Sequence, residues 1–271
     1  MSRNFSTQKS HPKKLLGQSF LKDINQVKKI VEAAQIDPSD TVLEIGGGEG
    51  IITFELVKKA KKVICIEKDT ILANNLKAVN IKNLEIIEAD ILELFKNEKL
   101  DIKGLKNYKV VANIPYYLTS MLIRNLLECE NKPKDIFLMI QKEVAERICS
   151  KPPHMSILSV AVSYYANSKI LLKIPKGCSY PQPKIDSALI QITPNKTKKN
   201  DKFFKIVKTG FSHPRKHLIS NLSLGLKMNR GKIEECLNKI GINATQRAET
   251  LLLDNWIALH DCLNVHGNDG K

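Results

Sequence analysis

The chain predicts an α/β fold, a mostly parallel sheet of seven strands with helices on both faces, followed by a small all-helical C-terminal domain. Three observations carry this prediction. Short apolar runs alternate with segments of helical spacing from Thr41 to Ile148. A glycine-rich turn, Gly46-Gly47-Gly48-Glu49-Gly50, follows the first of those runs. After Pro194 the apolar spacing is helical only. Alternation of this kind buries a parallel sheet between two helical layers.

Taken in order, residues 1 to about 22 read as irregular and basic. Apolar positions Ile24, Val27, Ile30, Val31 and Ala34 then recur at helical spacing behind Asp23, a candidate N-cap, and the helix ends before Pro38. Thr41–Ile45 is the first strand, and the glycine turn leads from it into a helix. Val63–Ile66 is the second strand, delivering Glu67 about 20 residues beyond the glycine turn, where ribose-binding acids are expected. Leu84–Ile87 is the third and ends near Asp90. The fourth, from Val110, stops at Asn113-Ile114-Pro115-Tyr116-Tyr117. Ile136–Ile140 is the fifth. His154–Tyr165 reads as a helix, and Ile170–Ile174 and Ala188–Ile192 as two late strands that close the sheet. A lysine-rich linker, Pro194–Lys202, separates residues 1–194 from the helical segment 195–271, with helices expected over Phe203–Phe211, Leu218–Leu226, Ile233–Ile240 and Ala248–Val265.

The totals narrow the function classes. At 271 residues, with 42% hydrophobic and 26% charged residues, the composition is that of a globular protein. No apolar run reaches the ~18 residues of a spanning helix, and no signal-peptide segment is evident, so a cytoplasmic, membrane-free protein is expected, and a monomer. The six cysteines form no C-x-x-C pair and read as reduced thiols, with neither a metal site nor a disulfide framework expected. The net charge of +15 points to a polyanionic partner. Residues 196–232 hold eleven Lys or Arg against one acid, and the N-terminal segment repeats the bias with Lys13 and Lys14 among others.

In an open α/β sheet, ligands sit beyond the carboxyl ends of the strands. Asn113 to Tyr116 therefore face a bound molecule. An amide carbonyl accepts hydrogen bonds, Pro115 stiffens the backbone and Tyr116 offers a flat face, a combination suited to a planar base with an exocyclic amine.

A glycine loop alone is shared by dehydrogenases and methyltransferases. Glu44-Ile45-Gly46 followed by Glu67, Asp90 and Asn113-Ile114-Pro115-Tyr116 resembles the Rossmann-like class I S-adenosylmethionine-dependent methyltransferases that act on amines. The resemblance narrows with Gln18-x-Phe20-Leu21, Gln141-Lys142-Glu143-Val144-Ala145-x-Arg147, Pro181-x-Pro183-x-Ile185-Asp186-Ser187-Ala188, Phe211-Ser212-x-x-Arg215-Lys216 and Arg247-Ala248-Glu249-Thr250-Leu251. These motifs, in register from about residue 13 to about 260, are similar to those of the small-subunit ribosomal RNA adenine dimethyltransferases (KsgA type). Ser19 departs from the family's usual Asn or His, His154-Met155-Ser156 from its usual Tyr-Gly, Tyr180 from a common Phe, and Gly47 from a common Pro.

The resemblance implies S-adenosylmethionine as methyl donor and the N6 amines of two adjacent adenosines near the 3′ end of small-subunit (16S) RNA as acceptors. Ser19, Leu21, Gly46, Gly48, Glu67, Asp90 and Asn113 would then hold the cofactor, with Glu67 on the ribose hydroxyls and Asp90 on the adenine amine. Asn113 and Ile114 would accept the amine protons, with Pro115 shaping the turn. Tyr116 and Tyr180 would contact the base, and Lys13, Lys14, Arg215 and Lys216 the RNA phosphates. The partner implied is the small-subunit RNA or its pre-subunit. The competing readings are an Erm-type methyltransferase of large-subunit RNA and a non-enzymatic RNA-binding assembly factor.

Overall fold

The structure is a computed structural model and describes residues 17–96 and 105–265. Lys13 and Lys14 lie outside the described residues. The described residues divide into two compact units, one built from those up to Ala145 together with Lys169–Pro194, the other from Glu146–Ser168 together with those from Asn195.

The first unit contains a short strand β1 (Phe20–Leu21), then α1 (Ile24–Ala33), β2 (Thr41–Ile45), α2 (Thr53–Leu56), β3 (Lys62–Glu67), α3 (Thr70–Ala78), β4 (Leu84–Glu88), α4 (Ile91–Lys96), β5 (Tyr108–Asn113), α5 (Thr119–Glu128) and β6 (Asp135–Gln141). Helix α6 (Lys142–Ile148) leads out of it and α7 (Ile157–Tyr165) follows. Strand β7 (Ala166–Ile174) leads back to β8 (Ser179–Tyr180) and β9 (Ser187–Pro194). Seven strands form one sheet in the order β4-β3-β2-β5-β6-β9-β7. The contiguous pairs from β4 to β6 are parallel, and β9 runs antiparallel to β6.

The local causes are those read from the sequence. Asp23 caps α1 by accepting from the backbone N–H groups of Asn25 and Gln26 at 2.8 and 3.2 Å. Val27, Ile30 and Val31 form its buried stripe. The central strands β2, β5 and β6 are buried along most of their length, since both faces of the sheet are covered. The strand order reverses between β2 and β5, whose registers place Ile45 beside Ala112. Such a reversal opens a crevice at the carboxyl ends of those two strands.

Two features were not expected. Phe20-Leu21, within the segment read as irregular, pairs with Ser179-Tyr180, between the two late strands, as a two-stranded antiparallel sheet, Phe20 opposite Tyr180 and Leu21 opposite Ser179. Residues Glu146–Ser168, expected to belong with residues 1–194, cluster instead with the C-terminal helices. The reason is apolar packing, because Met155 and Val160 belong to the same buried cluster as Phe203, Leu222 and Trp256.

That second unit also contains α8 (Asp201–Gly210), α9 (Leu218–Leu226), α10 (Arg230–Lys239) and α11 (Leu253–Val265). Ser156, part of the family departure, caps α7: its hydroxyl accepts from the Ser159 N–H at 3.2 Å while Ser159 reciprocates. The expectation of six reduced thiols is corrected. Cys236 on α10 and Cys262 on α11 are joined as a disulfide with their Cα atoms 5.8 Å apart. Helix packing brings together two cysteines separated by 26 residues, which no short sequence pattern signals.

Candidate active site

A cavity of about 200 Å³ lies at the β2/β5 crevice, within the first unit. Each wall comes from a strand end or the segment just beyond it. From β2 the glycine turn supplies Gly46 and Gly48, from β3 comes Glu67, and from the turn after β4 comes Asp90. From β5 come Asn113 to Tyr116, and from the N-terminal segment Ser19 and Leu21. All the residues predicted to hold the cofactor thus line one space. Tyr180 does not line it; it stands on β8, 62% exposed. Arg215 and Lys216 are exposed in the loop between α8 and α9 of the other unit.

The glycine turn is built around Glu67. Its Oε2 accepts from the Gly48 N–H at 2.9 Å and its Oε1 from the Asp69 N–H at 2.8 Å. Glu67 is buried in this mount, and each carboxylate oxygen retains a lone pair for a further donor. Gly48 has φ +56°, and a Cβ there would stand 3.1 Å from the Phe20 ring. Gly50, at φ +85°, would meet Leu76 and Phe54 at 2.7 Å. Both positions therefore require glycine.

Beneath the turn Glu44 is almost fully buried, and burial pushes its carboxyl up to about 8. The neighbouring Thr53 and Cys65 side chains offset burial only in part, while the Glu67 carboxylate adds to it. At neutral pH Glu44 is therefore mostly protonated, which keeps a second negative charge away from Glu67.

Asp90 immediately precedes α4, where its Oδ1 accepts from the Leu92 N–H at 2.8 Å and its Oδ2 from Lys68 Nζ at 2.8 Å. Burial raises its carboxyl, but Lys68 and the Leu92 N–H outweigh that, so it sits below the usual range and is ionised. Lys68 is one residue that sequence reasoning missed. Its place directly after Glu67 was the available signal.

At the end of β5 the Asn113 side-chain nitrogen donates to the Ser19 backbone carbonyl at 3.2 Å. A carbonyl only accepts, so the NH2 end of the amide faces Ser19 and the oxygen is left for another donor. Ser19 in turn donates through its hydroxyl to the Pro181 carbonyl at 2.9 Å. The Tyr116 hydroxyl lies 3.0 Å from Ser187 Oγ on β9. Ser187 was quoted in a motif but given no role from sequence.

The cavity suits S-adenosylmethionine on the chemistry of its walls. Two acceptor carboxylates stand at adjacent strand ends, suited to ribose hydroxyls and an exocyclic amine. The Gly46 backbone, at φ +81°, has no side chain to block an approaching amino-acid moiety.

A seven-stranded sheet with one antiparallel strand beside β6, and its crevice at the β2/β5 reversal, is the architecture of the Rossmann-like methyltransferases. Within that class, residues 9–264 match the family model described as ribosomal RNA adenine dimethylase, and the chain belongs to that family. It is 40% identical over 259 residues to the ribosomal RNA small subunit methyltransferase A of Fusobacterium nucleatum, covering 91% of this chain and 96% of that one. The protein of the same name from Dehalococcoides mccartyi is 39% identical over 265 residues, covering 94% and 89%. Among solved structures, a dimethyladenosine transferase from Plasmodium falciparum superposes with a TM-score of 0.77 at 26% identity, covering 92% and 98%.

Proposed function

We propose that the protein transfers methyl groups from S-adenosylmethionine to the N6 amines of two adjacent adenosines near the 3′ end of small-subunit ribosomal RNA. The observation that carries this is the Asn113 amide, which donates through its nitrogen to the Ser19 carbonyl and lines a cavity edged by the glycine turn. Family membership supports the choice of substrate.

An adenine amine is a poor nucleophile because its lone pair is delocalised into the ring. The described cavity residues include no strong base aimed at such an amine, so positioning carries much of the rate. Asn113 Oδ1 and the Ile114 carbonyl accept the two amine protons and turn the lone pair toward the methyl donor. Bound in the cavity, the sulfonium supplies an electrophilic methyl group. Glu67 and Asp90 hold the ribose and adenine of the donor, and Gly46 admits its amino-acid end. Tyr116 stacks on the extruded base and Tyr180 contacts its other face, each stack being worth ~1 to 3 kcal/mol. After one transfer the amine keeps one proton, so the same acceptors serve a second. Lys13, Lys14, Arg215 and Lys216 bind phosphates.

The setting that goes with this reading is the cytoplasm, a monomer and the small-subunit RNA or its precursor particle. No helix among the described residues is long and apolar enough to cross a membrane. Incubation with S-adenosylmethionine and each ribosomal RNA, followed by mass spectrometry of RNA fragments, tests the reading. A gain of two methyl groups on each of two adjacent adenosines of the small-subunit RNA is expected. Modification of the large-subunit RNA alone would replace it with the Erm-type reading.

A further inference from the structure

We infer that the dipeptide Asp186-Ser187 sets the positions of the two aromatic rings, Tyr116 and Tyr180, that hold the substrate base; this rests on the adenine-methylating function proposed above. Ser187 opens β9 and is 1% exposed. Its hydroxyl lies 3.0 Å from the phenol oxygen of Tyr116. The preceding residue grips the other ring-bearing segment. Asp186 Oδ1 accepts from the Lys176 N–H at 3.0 Å, and Lys176 opens the 3-10 turn Lys176–Cys178 that runs directly into β8 and Tyr180.

The dipeptide is itself fixed to the sheet. Ser187 stands opposite Gln141 in the antiparallel β6–β9 register, and the Asp186 carbonyl accepts from the Lys142 N–H at 3.0 Å. The Gln141-Lys142 and Asp186-Ser187 motifs are thus two sides of one mount at the end of β6. A tyrosine ring held only through its Cβ can swing about two side-chain torsions. A hydrogen bond at the phenol tip, to a hydroxyl on a buried strand, removes that swing. A base stacked on a tilted ring is still bound, but its amine is aimed away from the methyl donor. Asp186 and Ser187 are therefore positioning residues, and their removal falls on the transfer rate rather than on RNA affinity.

Single-turnover methylation of small-subunit RNA at saturating RNA and S-adenosylmethionine tests this. Ser187→Ala is expected to slow transfer about three- to tenfold, the worth of one hydrogen bond, with Asp186→Ala slowing it less because that hydrogen bond is exposed. The dissociation constants for RNA and for S-adenosylmethionine should move by less than about twofold, the difference between aiming and binding. Ser187→Thr and Asp186→Asn keep the hydroxyl and the carbonyl acceptor and should restore the rate. Tyr116→Phe removes the same bond without touching the buried strand, so it remains informative if Ser187→Ala fails to fold. It should match Ser187→Ala, and the double variant should be no slower than either. Wild-type rates in Tyr116→Phe, or additive effects in the double variant, would overturn the inference while the wild-type activity stands. Absence of transfer by the wild-type chain would instead overturn the proposed function, and this inference with it.

Discussion

The Asn113 side-chain nitrogen donates to the Ser19 backbone carbonyl at 3.2 Å. Because the acceptor is backbone, the side chain at position 19 is not what orients the amide. Asn113→Ala should lower methyl transfer about a hundredfold or more while RNA binding stays within a few fold, as expected when alignment fails. Ser19→Ala should leave the rate within about threefold, since it removes only the bond to the Pro181 carbonyl. Comparable rate reductions in both variants, in a filter-binding and methylation assay run side by side, would show that the orienting hydrogen bond is not the backbone one.

Glu67 receives the Gly48 and Asp69 N–H groups on separate oxygens. Glu67→Gln must turn an NH2 toward one of those donors. Hydrogen bonds to a charged group are worth about 1.5 to 3 kcal/mol, so S-adenosylmethionine affinity should fall about ten- to a hundredfold by titration calorimetry. Unchanged affinity would place the ribose elsewhere in the cavity.

Glu44 gives a pH signature. Its carboxyl is raised from 4.5 to about 8 by burial. Between those values the native state keeps a proton that the unfolded chain has released, so its contribution is fully present below pH 4.5 and is lost as the pH rises through about 8. Glu44→Gln removes this dependence. Relative to wild type, the variant should gain stability between about pH 5 and pH 9, on the order of a few kcal/mol. Parallel wild-type and variant melting profiles across that range would show that Glu44 is ionised in the folded protein.

Arg215 and Lys216 stand exposed in the α8–α9 loop, as phosphate-binding residues would. Neutralising both should weaken RNA binding at every sequence and reduce the salt slope by about one for each phosphate no longer neutralised. A weakened but equally salt-dependent complex would assign them to packing or to base recognition.

The large sheet was legible because each of its seven strands is several residues long and bounded by turn chemistry, and the strand-end residues followed from it. Glu67 could be found by its distance from Gly48, and Asn113 by the abrupt end of an apolar run. The β1–β8 pair was not legible, since two residues such as Phe20-Leu21 are too few to show a period. Hydrogen bonds made through backbone, such as Asn113 to the Ser19 carbonyl, leave no mark on residue type. The Cys236–Cys262 bond and the grouping of Met155 with Trp256 depend on tertiary packing between distant segments, which local patterns do not encode.

In the proposed function, Asn113 and its strand-end turn direct methyl groups onto adenine N6 in small-subunit RNA. The decisive measurement is mass spectrometry of that RNA after reaction, for one fixed short time, with S-adenosylmethionine and either wild-type or Asn113→Ala protein. Two adjacent dimethylated adenosines with wild type, and about a hundredfold less modification or none with the variant, is the expected result. Equal modification by both proteins, or none by wild type, would contradict it.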